Sequence, residues 1–182
     1  RSTNIIVNDP ITVDRKLLLL GETFTLNGKM SLTNMPSSTP GGSGVSPTNG
    51  LLDWRGSNFP AIAYFTNNGV LSVPNIAYLG GDREVPLKTL VNHGTLNAFG
   101  HSIRADYYED TGFINTSNTI TIVAGSAKLE GGKDLARGGY LIQATDLKLR
   151  NHSITADGGI ALAVSGSLTD AGGASPNTIT VK

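Results

Sequence analysis

Gly94-Thr95-Leu96-Asn97-Ala98 opens on a turn residue and then alternates apolar with polar positions. The arrangement returns as Gly28-Lys29-Met30-Ser31-Leu32, Gly69-Val70-Leu71-Ser72-Val73, Asn118-Thr119-Ile120-Thr121-Ile122 and His152-Ser153-Ile154-Thr155-Ala156. A corner followed by period-2 alternation, repeated every couple of dozen residues, is how a stacked β-solenoid is written into a chain. Leu71 to Leu96 is 25 residues and Leu96 to Ile120 is 24, which suits one turn of three short strands with their corners. Ile120 to Ile154 is 34. The polar run from Glu130 to Gly139 is expected to absorb that excess as a bulging loop.

In such a stack alternate aliphatics point inward and pile on their counterparts in neighbouring coils. Met30, Leu71, Leu96, Ile120 and Ile154 are the expected first ladder, with Leu32, Val73, Ala98, Ile122 and Ala156 as the second. Burying each large aliphatic contributes about 1.5–3 kcal/mol. Asn68, Asn92, Asn118 and Asn151 are expected at corners, because a short amide tolerates left-handed backbone and bonds to nearby backbone groups. A β-sandwich would also show many short strands at regular spacing. The segments after Asn67, however, are joined by short corners such as Gly100-His101, Gly125-Ser126 and Gly158-Gly159, not arranged as hairpin pairs.

Composition points the same way. Charged residues make up 15% of the 182 residues while glycine alone numbers 23, so Asn, Ser, Thr and Gly must supply the polar surface, a mix that favours turns and strands over helices. With 14 basic and 14 acidic residues the net charge is zero, and there is no basic patch or zinc spacing, so no nucleic-acid partner is expected. The absence of cysteine excludes disulfides, thiolate metal sites and thiol nucleophiles. No apolar run approaches the ~20 residues of a bilayer-crossing helix, so no membrane span is expected. A chain opening on Arg1 reads as a mature or excised piece of a longer one.

The first third is less regular. Residues 1–66 are read as N-terminal strands, a flexible loop and a cap, and residues 67–182 as the coils, all within a single structural domain. Asn27-Gly28 is a strong two-residue turn signal, so the flanking strands form either a hairpin or a first, capping coil. The Pro-, Ser- and Gly-rich stretch from Asn34 to Gly50 reads as an exposed flexible loop, or as one that folds back to bind. Trp54 is read as a core anchor for the cap.

Candidate chemistry is sparse. His93 and His152 each follow an Asn before an alternating strand, which places them at equivalent corners ~10 Å apart, too far to share a metal. With His101 near another corner, no metal site and no cofactor are expected. The densest polar and aromatic cluster is Arg104-Ala105-Asp106-Tyr107-Tyr108-Glu109-Asp110. Alternation puts Arg104, Asp106 and Tyr108 on the outer face, with Glu109 and Asp110 opening a loop. A tyrosine beside acids can stack on a sugar face while the acids bond hydroxyls, so these five residues are the candidate ligand site; an ordinary solvated edge is the alternative. Asp106 and Glu130 are candidates to meet in adjacent coils as a carboxylate pair, with Lys128, Lys148 or Arg150 to neutralise a uronate, although glycosidase chemistry is defined by a separation that spacing leaves open. No Gly-x-Ser-x-Gly elbow or phosphate loop is present.

The segments Asn92 to Ala98 and Leu149 to Ile160 carry the Asn-x-Gly-x-Leu/Ile-x-Ala style of coil. Over roughly Asn67 to Asp170 the chain resembles the right-handed parallel β-helices of bacterial surface and secreted proteins, of the filamentous-haemagglutinin or autotransporter-passenger type. That resemblance implies an all-β, right-handed parallel β-helix with an irregular N-terminal cap, placed outside the cell or on its surface. It implies a non-catalytic structural or adhesive role. The alternative is a carbohydrate-active β-helix, either a lyase- or hydrolase-like enzyme or a glycan-binding module. Expected partners are a glycan or other cell-surface ligand, the remainder of a longer chain and, where the ends are uncovered, a second copy end to end.

Overall fold

The computed structural model describes residues 4–14, 21–33, 62–80 and 86–182. Within them lie the strands β1 (Asn4–Val7), β2 (Ile11–Asp14), β3 (Thr23–Leu26), β4 (Lys29–Thr33), β5 (Tyr64–Asn67), β6 (Val70–Leu79), β7 (Leu87–Asn92) and β8 (Thr95–Asp110). The second half adds β9 (Phe113–Thr116), β10 (Ile120–Glu130), β11 (Lys133–Ala136), β12 (Tyr140–Arg150), β13 (Ser153–Ala156), β14 (Ile160–Val164), β15 (Leu168–Asp170) and β16 (Thr178–Val181). All their pairings are parallel, and no helix occurs among the described residues. The chain is a parallel β-solenoid, and no helix among those residues is long and apolar enough to cross a membrane. The Asn34–Gly50 loop, Leu17 to Leu20 and Trp54 lie outside the described residues.

Three columns of strands form the sides. The first stacks β1, β3, β5 and β7 on the last part of β8, and continues through the ends of β10 and β12 to β15. The second stacks β2, β4 and the starts of β6 and β8 on β9, β11, β13 and β16. The third stacks the end of β6, the middle of β8, the starts of β10 and β12, and β14. β8 runs through all three sides because Phe99 and Asp106 turn two corners without ending the strand.

Sequence and packing meet in the inward ladders. The second side stacks Met30, Leu71, Leu96, Ile114, Asp134, Ile154 and Ile179 in register. Ile120 and Ile122, which spacing assigns to this ladder, belong to the third side beneath His101 and Ile103. The error has a physical origin. Coils shorten from 25 residues (Leu71 to Leu96) to 18 (Leu96 to Ile114) and then 20 (Ile114 to Asp134), so a constant period lands on the wrong side. The Glu130–Gly139 segment is likewise no bulging loop, since it contains β11, which pairs on both edges.

Asn27-Gly28 does not close a hairpin. β3 and β4 are consecutive sides of one coil, stacked parallel on β1 and β2, so the N-terminal strands continue the same sheet as the later coils. Asn68 is a corner residue as expected, its amide donating to Asn27 Oδ1 at 2.8 Å one coil before. Asn151 is at a corner too, with φ 53°. Asn92 is not: it points inward and is fully buried. The corner between the first and second sides is a column of glycines, Gly28, Gly69, Gly94, Gly112 and Gly132, because a Cβ there would lie about 1.8–2.6 Å from the preceding coil's carbonyl oxygen. In the next coil that position is His152.

Candidate functional site: a polar cluster inside the solenoid

The aliphatic ladders are interrupted in four consecutive coils. On the first side Phe24, Phe65 and Leu90 give way to Tyr108, and Leu26 gives way to Asn67, Asn92 and Asp110. The second side places Asp134 between Ile114 and Ile154. On the third side Tyr140 follows Ile120. Strand alternation forces each of these side chains inward, so groups far apart in sequence share one interior.

Their contacts form a chain. Asn67 Nδ2 donates to Asn92 Oδ1 at 2.8 Å, and Asn92 Nδ2 donates to Asp110 Oδ1 at 2.7 Å. The Gly112 amide donates to the same oxygen at 3.0 Å. Across the interior, the Tyr140 hydroxyl donates to Asp134 Oδ2 at 2.5 Å, and His152 Nε2 lies 3.2 Å from that oxygen. The side chains of Asp134 and His152 are both 0% exposed. The His152 ring rests on the Cα of Gly132, where a Cβ would come within 2.9 Å of Cε1. Its backbone N–H donates to Asn177 Oδ1.

Burial and mutual repulsion dominate the electrostatics. Desolvation, and then the neighbouring Asp134 charge, push the Asp110 carboxyl well above the usual carboxylate range, against the hydrogen bonds from Asn92 and Gly112. Burial followed by the nearby carboxylates raises the phenols of Tyr108 and Tyr140. Asp110 Oδ2, Asp134 Oδ1, His152 Nδ1 and the Tyr108 hydroxyl have no hydrogen-bond partner among the described residues. Donor atoms of Asp110, Asp134 and His152 all lie within 4.8 Å of one another, so these three residues could hold a metal ion. His101 is also buried on the third side, and desolvation lowers its pKa to about 4 even though the Leu96 and Asn115 carbonyls and the Asp134 charge favour its protonation.

The five candidate ligand residues are divided by the wall of the solenoid. Asp106 is an exposed corner residue, and that corner shifts the alternation by one position. Tyr108 and Asp110 therefore point inward at 0% exposure, which corrects the outer-face placement of Tyr108 and the loop placement of Asp110. Arg104 and Glu109 stay half-buried on the outside, on different sides of the coil. Tyr107 takes the outward position instead, its hydroxyl donating to Glu109 Oε2 at 2.7 Å. His93 and His152 are not equivalent either: His93 sits one residue before the glycine column, with Nδ1 2.7 Å from Thr111 Oγ1, while His152 occupies that column and faces the core.

On the outside of the first side the charges are paired within a strand and across coils. Lys128 Nζ lies 2.9 Å from Glu109 and 3.0 Å from Glu130, and Arg150 lies 2.7 Å from Glu130. Partial burial raises the Glu109 carboxyl, but hydrogen bonds from Lys128 and Tyr107 outweigh it and hold the group below its ordinary value. The hydrogen bond from Lys128 does the same to Glu130, and the two acids raise Lys128 in turn. Asp106 and Glu130 do not meet, since register places Glu130 beside Arg150 and Asp106 at the opposite end of the side. Near the end of the stack an open groove of about 430 Å³, lined by Val123, Gln143, Thr145, Ala163 and Ser165 among others, contains no titratable side chain.

Sequence reasoning missed Asp134, His152 and Tyr140 as a group. The available signal was that Lys133-Asp134-Leu135-Ala136 aligns with Phe113-Ile114-Asn115-Thr116 when a 20-residue coil is allowed. An acid then falls where the ladder calls for an aliphatic. Comparison of the chain with protein-family models, with curated proteins and with solved structures gives no match in any of the three.

Proposed function

We propose that the chain is a non-catalytic β-solenoid segment of an exported bacterial surface protein, acting outside the cell as a stiff spacer or adhesive module. The observation that carries this reading is the outward ion-pair ladder of Glu109, Lys128, Glu130 and Arg150. A glycosidase needs one carboxyl held protonated above its ordinary range beside a second, ionised one. Here Lys128 stabilises the ionised form of Glu109 and of Glu130, which leaves neither of these two acids suited to protonate a leaving group. The half-buried Tyr107 beside Glu109 supplies the kind of amphipathic surface on which a glycan could rest. Leu168, Ile179 and Val181 lie in the last coil at 58%, 48% and 59% exposure, so a further coil from a longer chain, or a second copy, would cover them.

The test combines turnover with binding. Incubated with a panel of neutral and uronate-containing polysaccharides, the protein is expected to release neither reducing ends nor unsaturated uronates. Turnover abolished by Glu109→Gln would replace this reading with the carbohydrate-active one. On a glycan array, binding that weakens in Tyr107→Ala but not in Arg104→Ala would support the adhesive form.

A further inference from the structure

We propose that Asp110, Asp134 and His152 form an internal site for one divalent transition-metal ion, of the zinc or manganese class, held on the axis of the solenoid. The spacing of the donor atoms admits a ligand set. Two ligands each about 2.1 Å from a metal and subtending about 100° are separated by about 3.2 Å, which is the distance from His152 Nε2 to Asp134 Oδ2. The Asp110 donor atom completes a group whose members lie within 4.8 Å of one another.

Three further observations converge on this interior. First, with both carboxyls ionised, Asp110 Oδ2, Asp134 Oδ1 and the Tyr108 hydroxyl, all on residues at 0% exposure, have no hydrogen-bond partner among the described residues; the Asp110–Asp134 contact is a hydrogen bond only when one of the two holds a proton, and a group left unbonded in an apolar core is costly. Second, two carboxylates sit together inside an aliphatic stack, and a dication balances both charges at once. Third, both carboxylates are already steadied. Asn92 and the Gly112 amide hold Asp110 Oδ1, opposite the free Oδ2, and the Tyr140 hydroxyl donates to Asp134 Oδ2, the oxygen beside His152 Nε2, as outer-shell donors fix metal-binding carboxylates. Two carboxylate oxygens with one imidazole suit a first-row transition ion better than magnesium, which favours oxygen and retained water.

Because side chains of the ladders close the site, the ion enters as the coils form, and binding is coupled to folding. The site is structural, and it pins together the three coils that carry Asp110, Asp134 and His152.

The experiment is to unfold the full chain in urea and refold it with Zn²⁺, Mn²⁺, Co²⁺ or EDTA, remove unbound ion, and measure metal content and melting midpoint. About one ion per chain is expected after unbound ion is removed, and in a parallel melt with free zinc restored to a hundredfold above its dissociation constant a rise of about 5–10 °C over the EDTA sample. Visible absorption bands are expected for the cobalt sample. Asp134→Asn and His152→Gln should lose both the ion and the metal-dependent shift. As the variants can fail to fold, the wild-type imidazole ¹⁵N signals supply a second readout, in which zinc should move the nitrogen of His152. A folded wild type that retains no ion above buffer overturns the proposal and assigns the cluster to shared protons. So does equal metal content in the folded variants, or bound zinc that leaves the His152 signal unmoved.

Discussion

Tyr140→Phe tests whether Asp134 is carried in the core by specific partners. The substitution removes one oxygen and keeps the ring, so it creates no cavity beyond that atom. Tyr140 is 2% exposed and its hydroxyl donates at 2.5 Å to a carboxylate that is fully buried. A hydrogen bond to a charged group is worth about 1.5–3 kcal/mol, and its loss leaves Asp134 Oδ2 with His152 as its remaining side-chain partner. We expect a loss of about 2 kcal/mol, which in a chain of this size lowers the melting midpoint by roughly 4–8 °C. Tyr107→Phe is the control. Its hydroxyl donates to the half-buried Glu109 on the outer face, and its loss should cost under about 1 kcal/mol. Urea unfolding followed by far-UV circular dichroism, with thermal melts in parallel, measures both. In a double-mutant cycle with Asp134→Leu, the two changes should couple by at least about 1 kcal/mol. A Tyr140→Phe protein within about 0.5 kcal/mol of wild type, or no coupling in the cycle, would refute the buried pairing.

Two other outcomes follow from the core and the corners. His101 has a folded pKa of about 4, below its ordinary 6.5, so in that window the unfolded chain takes up a proton that the folded chain refuses. The stability present above pH 6.5 is then lost as pH falls to about 4, by roughly 3 kcal/mol at the lower end; denaturation measured across this range should show a shallower pH slope in His101→Leu than in wild type, and parallel slopes would contradict it. Gly132→Ala should cost about 1–3 kcal/mol, because its Cβ meets Gly112 O at 2.6 Å and His152 Cε1 at 2.9 Å, whereas Gly139→Ala, with no atom nearer than 3.8 Å, should melt close to wild type.

The class of fold was legible in the chain itself because its determinants are local. Alternation between residues i and i+2 sets which side chains face inward, and corner residues such as Gly94, Asn68 and Asn151 set where the chain turns. Met30, Leu71, Leu96 and Ile154 are all inward on the second side, as their alternation requires. Which strand stacks on which was not legible. That choice depends on pairing between residues from 18 (Leu96 to Ile114) to 41 (Met30 to Leu71) positions apart, and coil length changes along the stack. A constant period therefore puts Ile120 on the wrong side, and Lys133-Asp134-Leu135-Ala136 reads as a loop because a carboxylate stands at an inward position.

The facing of the candidate surface was hidden for a related reason. One corner at Asp106 reverses the facing of every residue after it, so Tyr108 and Asp110 enter the core while Tyr107 and Glu109 remain outside. Sequence alone determined a strand-built solenoid with little surface charge to spare. Only the tertiary stack could bring Asp110, Asp134, Tyr140 and His152 into one interior, because their proximity comes from parallel register between coils and from a glycine column that ends at His152.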